Sequence, residues 1–400
     1  MSISTSDTLG VIGASLRQGT AEDQRAREDS IREVRKLMLS LENEDNTLER
    51  VCFQLWEIAA IRIGIDLNIF EILQTATGPM KAEDVAKATN ADPLLIERVL
   101  RILGAYGAID EVDVNYWGAN SISSTFAKRR NAACVKGVFD CMSPAWLVAP
   151  ALLKENGYNN PTSSTRTALA KAHGFHNGAT VFQVLASNPS FLPAMSAAMS
   201  TVYKGRDHWM DVYPAQQRLI DGLRTGKEDT LMVDVGGGHG DQARKFRRRF
   251  LEAHGRFIVE DLPHGFPKEK PEGIEFLEHD IITAQPIHGA RFYFLRDVAH
   301  DWSQEINTKI LSHLRDAMAP GYSYLLINEW IFPPKGSTMT QASQDMNLMS
   351  INGGMERTEE LHRQYIEAAG LEITGIWHAA DRLSQSIIEA QVPSVVGSGP

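Results

Sequence analysis

Cysteine is nearly absent: Cys52, Cys134 and Cys141 are the only three in 400 residues. An odd trio at that spacing builds neither a disulfide framework nor a zinc site, and it fits free thiols in a reducing compartment. A surplus of positive charge is lacking too. Lys and Arg number 40 against 50 Asp and Glu, a formal net charge of −10. A broad nucleic-acid surface is thereby excluded, and any such contact would be a local patch. No stretch reaches the ~18 uninterrupted apolar residues of a membrane span. The nearest, Phe53 to Phe70, is broken by Glu57, Arg62 and Asp66 and reads as an amphipathic helix. Met1 to Gln18 is rich in Ser, Thr and Gly, without the basic-then-apolar order of a secretory signal. These absences point to a cytoplasmic protein with neither membrane nor nucleic acid among its partners.

What is present is an ordinary globular composition, long enough at ~150 residues per domain for two or three domains. Ile31, Val34, Leu37, Met38 and Leu41 fall at helical spacing inside a polar extension covering 1–45. A helix so thinly apolar needs a partner, either the rest of the chain or a second subunit. From 46 to 135 the pattern is helices followed by short strands. Thr77-Gly78-Pro79 ends the first helix, Lys81 to Ala88 forms a second, and Asp92-Pro93 starts a third with an N-cap and a first-turn proline. Gly104 and Gly107 close it, and Ile109 to Trp117 reads as a β-wing. The outline is a winged helix. Its recognition helix would offer only Arg98 and Arg101 beside Glu97, and its wing carries Asp110, Glu111 and Asp113, the wrong sign for phosphates. Dimerisation suits it better than DNA binding. The region 136–225 reads as helical, a linker and substrate lid. In it Met142, Trp146, Phe175, Met195 and Met199 are candidate substrate contacts, with core packing as the plainer role for each.

From 226 to 391 strands alternate with helices, giving βαβ units and a parallel sheet, and a tail follows at 392–400. Seven strand-like runs are expected. The last two, Leu371–Trp377 and Gln385–Ala390, are too close for a crossover helix and pair antiparallel, so the final strand is reversed. The fold class is α/β, a Rossmann-like seven-strand domain behind a mainly helical winged-helix domain.

The first of these strands runs into Asp234-Val235-Gly236-Gly237-Gly238-His239-Gly240 and then a helix. Glycines let a ligand approach backbone nitrogens at a helix N-terminus. Asp234 is awkward beside a pyrophosphate but suits a ligand bearing an amino group. Glu260-Asp261 ends the second strand, about 20 residues past the last glycine, where a carboxylate takes ribose hydroxyls. Asp280 ends the third and can reach an adenine amine. Loop and carboxylates together indicate a nucleoside site. The fourth strand leads into Arg296, Asp297 and His300-Asp301-Trp302, so His300 lies on the ligand edge of the sheet. Glu329 ends the fifth strand and Glu356 follows Gly353-Gly354; carboxylates at such positions orient an imidazole. His173-x-x-His176 is the nearest approach to a metal motif and lacks supporting carboxylates, so no metal is expected. The basic run Arg244 to Arg249 reads as a solvated helix face.

From Leu48 to Glu389 the chain resembles the S-adenosylmethionine-dependent O-methyltransferases of the plant caffeate type, in the branch common in fungal natural-product pathways. The resemblance rests on Asp234 to Gly240, Asp261-Leu262-Pro263, His300-Asp301-Trp302, Asn328-Glu329 and Gly353-Gly354-Met355-Glu356-Arg357-Thr358. It implies a homodimer formed through the winged-helix domain, S-adenosyl-L-methionine as cofactor and a small hydroxylated substrate. It further implies His300 as catalytic base, Glu329 and Glu356 as its flanking carboxylates, Asp261 as ribose ligand and Asp280 as adenine contact. Asp234, Gly236, Gly238 and Gly240 complete the cofactor set. Arg296 stands where plant relatives have a lysine touching the cofactor. The segment Met346 to Asn352 departs from the plant pattern, and Met349 and Asn352 stand there as further candidate substrate contacts. A general base would remove the proton of a phenol or enol as its oxygen attacks the sulfonium methyl. The competing readings are a pericyclase or cyclase that keeps the cofactor without transferring its methyl, and a winged-helix transcription regulator.

Overall fold

The computed structural model describes residues 21–195, 208–224, 226, 229–379 and 384–393. Two compact units emerge, one built from 26–158 and 168–195, the other from 159–167 and 208–393.

The helix expected around Ile31 to Leu41 runs over Ala21–Leu41. A second, Glu44–Phe53, starts at Asn43, whose side chain and that of Asn46 cap each other's backbone N–H. It buries no residue, and Leu41, Phe53 and Trp56 remain 77%, 57% and 53% exposed. Phe53 to Phe70 is not the single helix its apolar content suggested. Leu55–Asp66 ends at Leu67, and Asn68 takes a left-handed conformation (φ 53°) before Ile69–Thr75 begins. Asparagine tolerates that region because its short polar side chain bonds locally. Strand β1 (Met80–Lys81), the helices Ala82–Thr89 and Pro93–Ala105, and strands β2 (Asp110–Asp113) and β3 (Tyr116–Gly118) complete the winged helix. The three strands pair antiparallel in the order β1-β3-β2. Asp92 caps Pro93–Ala105 through the N–H of Leu95. Ile96, Leu100 and Leu103 face a core with Phe70 and Trp117. The outer face presents Leu94 and Leu95 beside Arg98, and β2 is exposed throughout, a surface poorly matched to phosphates.

Helices Arg129–Gly137 and Ser143–Glu155 are joined by the π-type turn Val138–Met142. By length and mean apolar content alone this run could cross a membrane, although charged residues interrupt it. Its middle, however, carries Asp140, paired to Arg62 at 3.0 Å, and Lys136, paired to Asp66 at 3.1 Å. Those ion pairs tie it to Leu55–Asp66.

The second unit holds strands β4 (Thr230–Val235), β5 (Arg256–Asp261), β6 (Glu275–Glu278), β7 (Phe292–Arg296) and β8 (Tyr324–Glu329), then the short β9 (Ile331–Phe332) and β10 (Arg357–Thr358), then β11 (Glu372–Trp377) and β12 (Ser386–Gln391). Seven form one sheet in the order β11-β12-β8-β7-β4-β5-β6, and β12 is antiparallel to both neighbours, the reversed final strand. The period of two explains the two cores. Tyr293, Leu295, Leu325 and Ile327 pack on one face with Ile310, Leu314, Tyr365 and Ile366 of the helices Gln304–Ala317 and Glu359–Ala368. Phe292, Phe294 and Leu326 pack on the other with Trp209 and with Phe246 of Asp241–Arg249. The helical crossovers expected between the early strands occur between β4 and β5 and between β7 and β8. The chain from β5 to β6 has only the 3-10 turn Pro263–Gly265, because Pro263, Pro267 and Pro271 remove donors and Gly265 and Gly273 favour turns, and the chain from β6 to β7 has no helix.

Arg291, 5% exposed and immediately before β7, donates to the carbonyls of Leu219, Tyr322, Arg218 and Asp221. Its guanidinium lies 4.9 Å and 4.8 Å from the rings of Tyr322 and Tyr324. Arg291→Met is expected to leave buried carbonyls without donors and to lower stability by about 3 kcal/mol or more, at 1–3 kcal/mol per orphaned group. Denaturant unfolding at fixed protein concentration measures this, and a loss under ~1 kcal/mol would contradict the assignment.

Candidate active site

In the sheet order the chain's path reverses at β4, which has β5 on one side and β7 on the other. Such a switch point leaves a crevice at the carboxyl ends of the strands. The glycine loop leaves β4 there and the His300 turn leaves β7 beside it. The two loops touch: a Cβ on Gly236 would lie 2.9 Å from Val298 Cγ2.

The His300 turn is held from three directions. Asp297 adopts a left-handed φ of 54° as β7 ends, and Ala299–Asp301 forms a 3-10 turn. Glu329, at the end of neighbouring β8, accepts the N–H groups of Val298, Ala299 and His300 on Oε1 at 3.0, 2.8 and 3.4 Å. From the third side, Met355 N–H donates to the His300 carbonyl at 2.8 Å. Gly354 lies so close that a Cβ there would collide with that oxygen. The parallel pair β9·β10 brings Glu356 alongside Glu329.

His300 Nδ1 is 3.1 Å from Glu356 Oε1 and 3.3 Å from Glu329 Oε2, while Nε2 is 3.6 Å from Asp301 Oδ1. Burial disfavours the imidazolium, but Glu329, then Asp301 and Glu356, overcome it and hold the imidazole well above its ordinary value. Glu329, 1% exposed, is in turn pushed up by burial against the pull of His300. His362, 2% exposed on the helix behind, goes the other way, to about 4, through burial and the Arg357 charge. Asp297, His300 and Glu329 each present one atom within 4.8 Å of the others, a set able to hold an ion. Within those residues Glu329 Oε1 accepts three backbone N–H groups and His300 Nδ1 faces Glu356 and Glu329. His173 Nε2 is 2.9 Å from the Cys141 carbonyl and its ring meets Phe191 edge-on, so that nitrogen too is engaged within the protein.

On the other side of the crevice, Gly236, Gly238 and Gly240 all have positive φ. Gly236 and Gly237 donate to the carbonyl of Glu260, and Gly238 N–H donates to Asp261 Oδ2 at 2.9 Å. Asp234 lies beneath the loop: a Cβ on Gly237 would overlap its carboxyl group. Burial pushes Asp234 up to about 7, and its Oδ2 has no hydrogen-bond partner among the described residues. Glu260, fully buried and bonded to Gln285 at 2.9 Å, points inward and leaves Asp261 as the strand-end carboxylate. Asp280 is exposed two residues past β6, its Oδ1 accepting Ile282 N–H at 3.0 Å. Arg296 donates to Asn328 Oδ1 at 2.8 Å. An orphaned buried carboxylate oxygen, a glycine loop in which an added Cβ on Gly238 would meet only ordinary contacts at 3.9 Å, and a strand-end carboxylate fit an adenosyl cofactor with an amino group.

The remaining sequence candidates divide between the two units. Met142 is 4% exposed, and Trp146, Phe175 and Met195 are half-buried in the first unit. Met199 lies outside the described residues. Met349 and Asn352 lie on the helix Met339–Asn352 of the second unit. Asn352 uses its amide within the protein: Nδ2 donates to Asp301 Oδ1 at 2.5 Å and Oδ1 accepts Gly354 N–H at 2.9 Å. Sequence reasoning missed Asn307 and treated Arg357 as motif only, although both are buried and both bond to the His300 turn. A charged residue directly following Glu356 was the available signal.

Fold and crevice define a Rossmann-like nucleoside-dependent enzyme. The O-methyltransferase domain family matches residues 216–372, and the O-methyltransferase dimerisation domain matches 50–129. O-methyltransferase penC of Penicillium thymicola is 35% identical over 371 residues, spanning 92% of each chain. The solved complex of LepI with SAM is 26% identical and superposes with a TM-score of 0.82 over 98% of this chain and 100% of that one. A structure described as a pericyclic reaction enzyme is likewise 26% identical, with a TM-score of 0.81 over 97% and 100%. The chain belongs to the S-adenosylmethionine-dependent O-methyltransferases of the caffeate type, among those of fungal secondary metabolism. It is a cofactor-dependent enzyme acting on a small natural product.

Histidine-label NMR of the free enzyme tests the electrostatics. His300 is expected to titrate above 6.5 and His362 to stay neutral down to about 4. Glu356→Gln removes one carboxylate that holds the proton and should bring the His300 midpoint down. A midpoint unmoved by that change would contradict the described environment.

Proposed function

We propose that the enzyme methylates a hydroxyl of a small natural product, a phenol or enol, with His300 as general base. The observation that carries this is the division of labour on one ring. Nδ1 faces Glu356 and Glu329 and so keeps its proton, leaving Nε2 with the lone pair that accepts the hydroxyl proton. When bound, S-adenosyl-L-methionine supplies an electrophilic methyl on a positively charged sulfur. In this reading Asp234, Asp261, Asp280, Arg296 and the backbone of Gly236, Gly238 and Gly240 hold it. Glu329 and Glu356 orient the imidazole and balance the charge it gains. Met142, Trp146, Phe175, Met195, Met199, Met349 and Asn352 are proposed near the acceptor. The proposed division of the chain is 1–45, 46–135, 136–225, 226–391 and 392–400, in a cytoplasmic enzyme.

The base needs a neutral imidazole, and the surrounding carboxylates favour the charged one. Transfer should therefore rise with pH through a midpoint above 6.5. His300→Ala is expected to leave S-adenosylhomocysteine affinity nearly unchanged and to slow transfer by about 10²–10⁴-fold, the usual weight of general-base catalysis. The loss should shrink as the acceptor becomes more acidic and arrives already ionised. Glu329→Gln should cost less. A second reading rests on the likeness to the pericyclic reaction enzyme. Release of S-adenosylhomocysteine during wild-type turnover separates the two: none on the native substrate sinks the transferase, and equal release by His300→Ala sinks the base.

We also propose a homodimer. The helix Glu44–Phe53 buries nothing in one copy, and Leu48, Val51, Phe53, Leu55 and Trp56 stay exposed within or beside the matched dimerisation domain. So large an apolar surface marks an interface. Light scattering at micromolar concentration should give twice the chain mass, and a fully active monomer would overturn this.

A further inference from the structure

We infer that Arg357 is a positioning residue for His300, acting through the backbone turn that carries the imidazole. The inference rests on the reading of His300 as base. Arg357 is 2% exposed and follows Glu356 directly in β10. Its Nη1 donates to the carbonyl of Ala299 at 2.8 Å and to that of Met355 at 3.1 Å, and its Nη2 donates to the carbonyl of Trp302. Ala299 and Trp302 bracket His300-Asp301, so the fork grips the turn on either side of the catalytic ring. Asn307, 1% exposed, donates from Nδ2 to the same two carbonyls at 2.7 and 3.1 Å.

No carboxylate is within ion-pair distance of Arg357 among the described residues, and its bonds run to backbone carbonyls. A buried cation held in that way is costly unless its hydrogen bonds are well made, and bonds from a guanidinium are stronger than neutral ones. Its charge also lies behind a group dense in carboxylates: Asp297 and Asp301 on the turn, Glu329 from β8 and Glu356 ahead of β10. The turn is thus held between an anion on its N–H side, Glu329, and a cation on its carbonyl side, Arg357. Lysine would keep the charge but cannot fork across two carbonyls. The turn would then shift, and displacement of a catalytic group by about 1 Å costs on the order of 10²-fold.

Arg357→Lys is expected to lower kcat by about tenfold to a hundredfold while S-adenosylhomocysteine affinity, read by calorimetry, stays within about twofold. The deficit should shrink with acidic acceptors, as it does for His300→Ala. In the free enzyme, histidine-label NMR should show the His300 midpoint falling toward 6.5, since the ring is no longer held against Glu329, Glu356 and Asp301 while His362 keeps its neighbouring cation. A double-mutant cycle decides the matter. In a His300→Ala background, Arg357→Lys should add less than about twofold. Full multiplication of the two losses, or an unmoved His300 midpoint, overturns the positioning role. Failure of the base reading would look different, with His300→Ala alone costing nothing. Should Arg357→Lys fail to fold, Asn307→Ala, which removes the second donor from the same carbonyls, goes through the same cycle with a smaller expected loss and the same criteria.

Discussion

The arrangement at the crevice depends on one carboxylate meeting three backbone N–H groups. Glu329 Oε1 takes the amides of Val298, Ala299 and His300, which a turn leaving a buried strand would otherwise strand without acceptors. Because Glu329 ends β8 and the turn leaves β7, the register of two parallel strands, with Arg296 opposite Asn328, sets where the imidazole stands. The second oxygen of the same carboxylate reaches Nδ1. One residue therefore couples the sheet, the turn and the protonation of the ring, and Asp297 in its left-handed conformation is the hinge that makes the geometry reachable.

Much of this was legible in the sequence for a physical reason. Strand ends in a parallel sheet are marked by abrupt changes from apolar runs to glycine or charge, and Asp234, Asp261, Arg296 and Glu329 all sit at such changes. The reversed last strand could be read because only a handful of residues separate it from its neighbour. Contacts among residues distant in sequence were not legible. The bonds of Asn352 to Asp301 and Gly354 were not foreseen, although the residue itself was singled out. Glu260 and Asp261 look equivalent as a pair, yet the alternation of a strand sends one into the core and leaves the other at the edge. Asn68 split an apolar stretch that periodicity alone carries through.

The N-terminal segment shows the opposite limit. Its helices form for local reasons, reciprocal capping at Asn43 among them, but their apolar side chains find no cover within one copy. Exposed Leu94 and Leu95 on the helix that would read DNA, together with an acidic wing, carry the same message. The winged helix here presents an apolar helix face and an exposed acidic strand.

Support of the His300 turn from main-chain groups has an evolutionary consequence. Glu329, Arg357, Asn307 and Met355 all grip backbone atoms, and none of these bonds involves the imidazole. The side chain at 300 is consequently free to change while the loop keeps its shape. A duplicated gene could exchange that one residue and retain a folded, cofactor-ready pocket for other chemistry. Scaffolds in which the reactive group is architecturally dispensable diverge by substitution at the centre, with their frames intact.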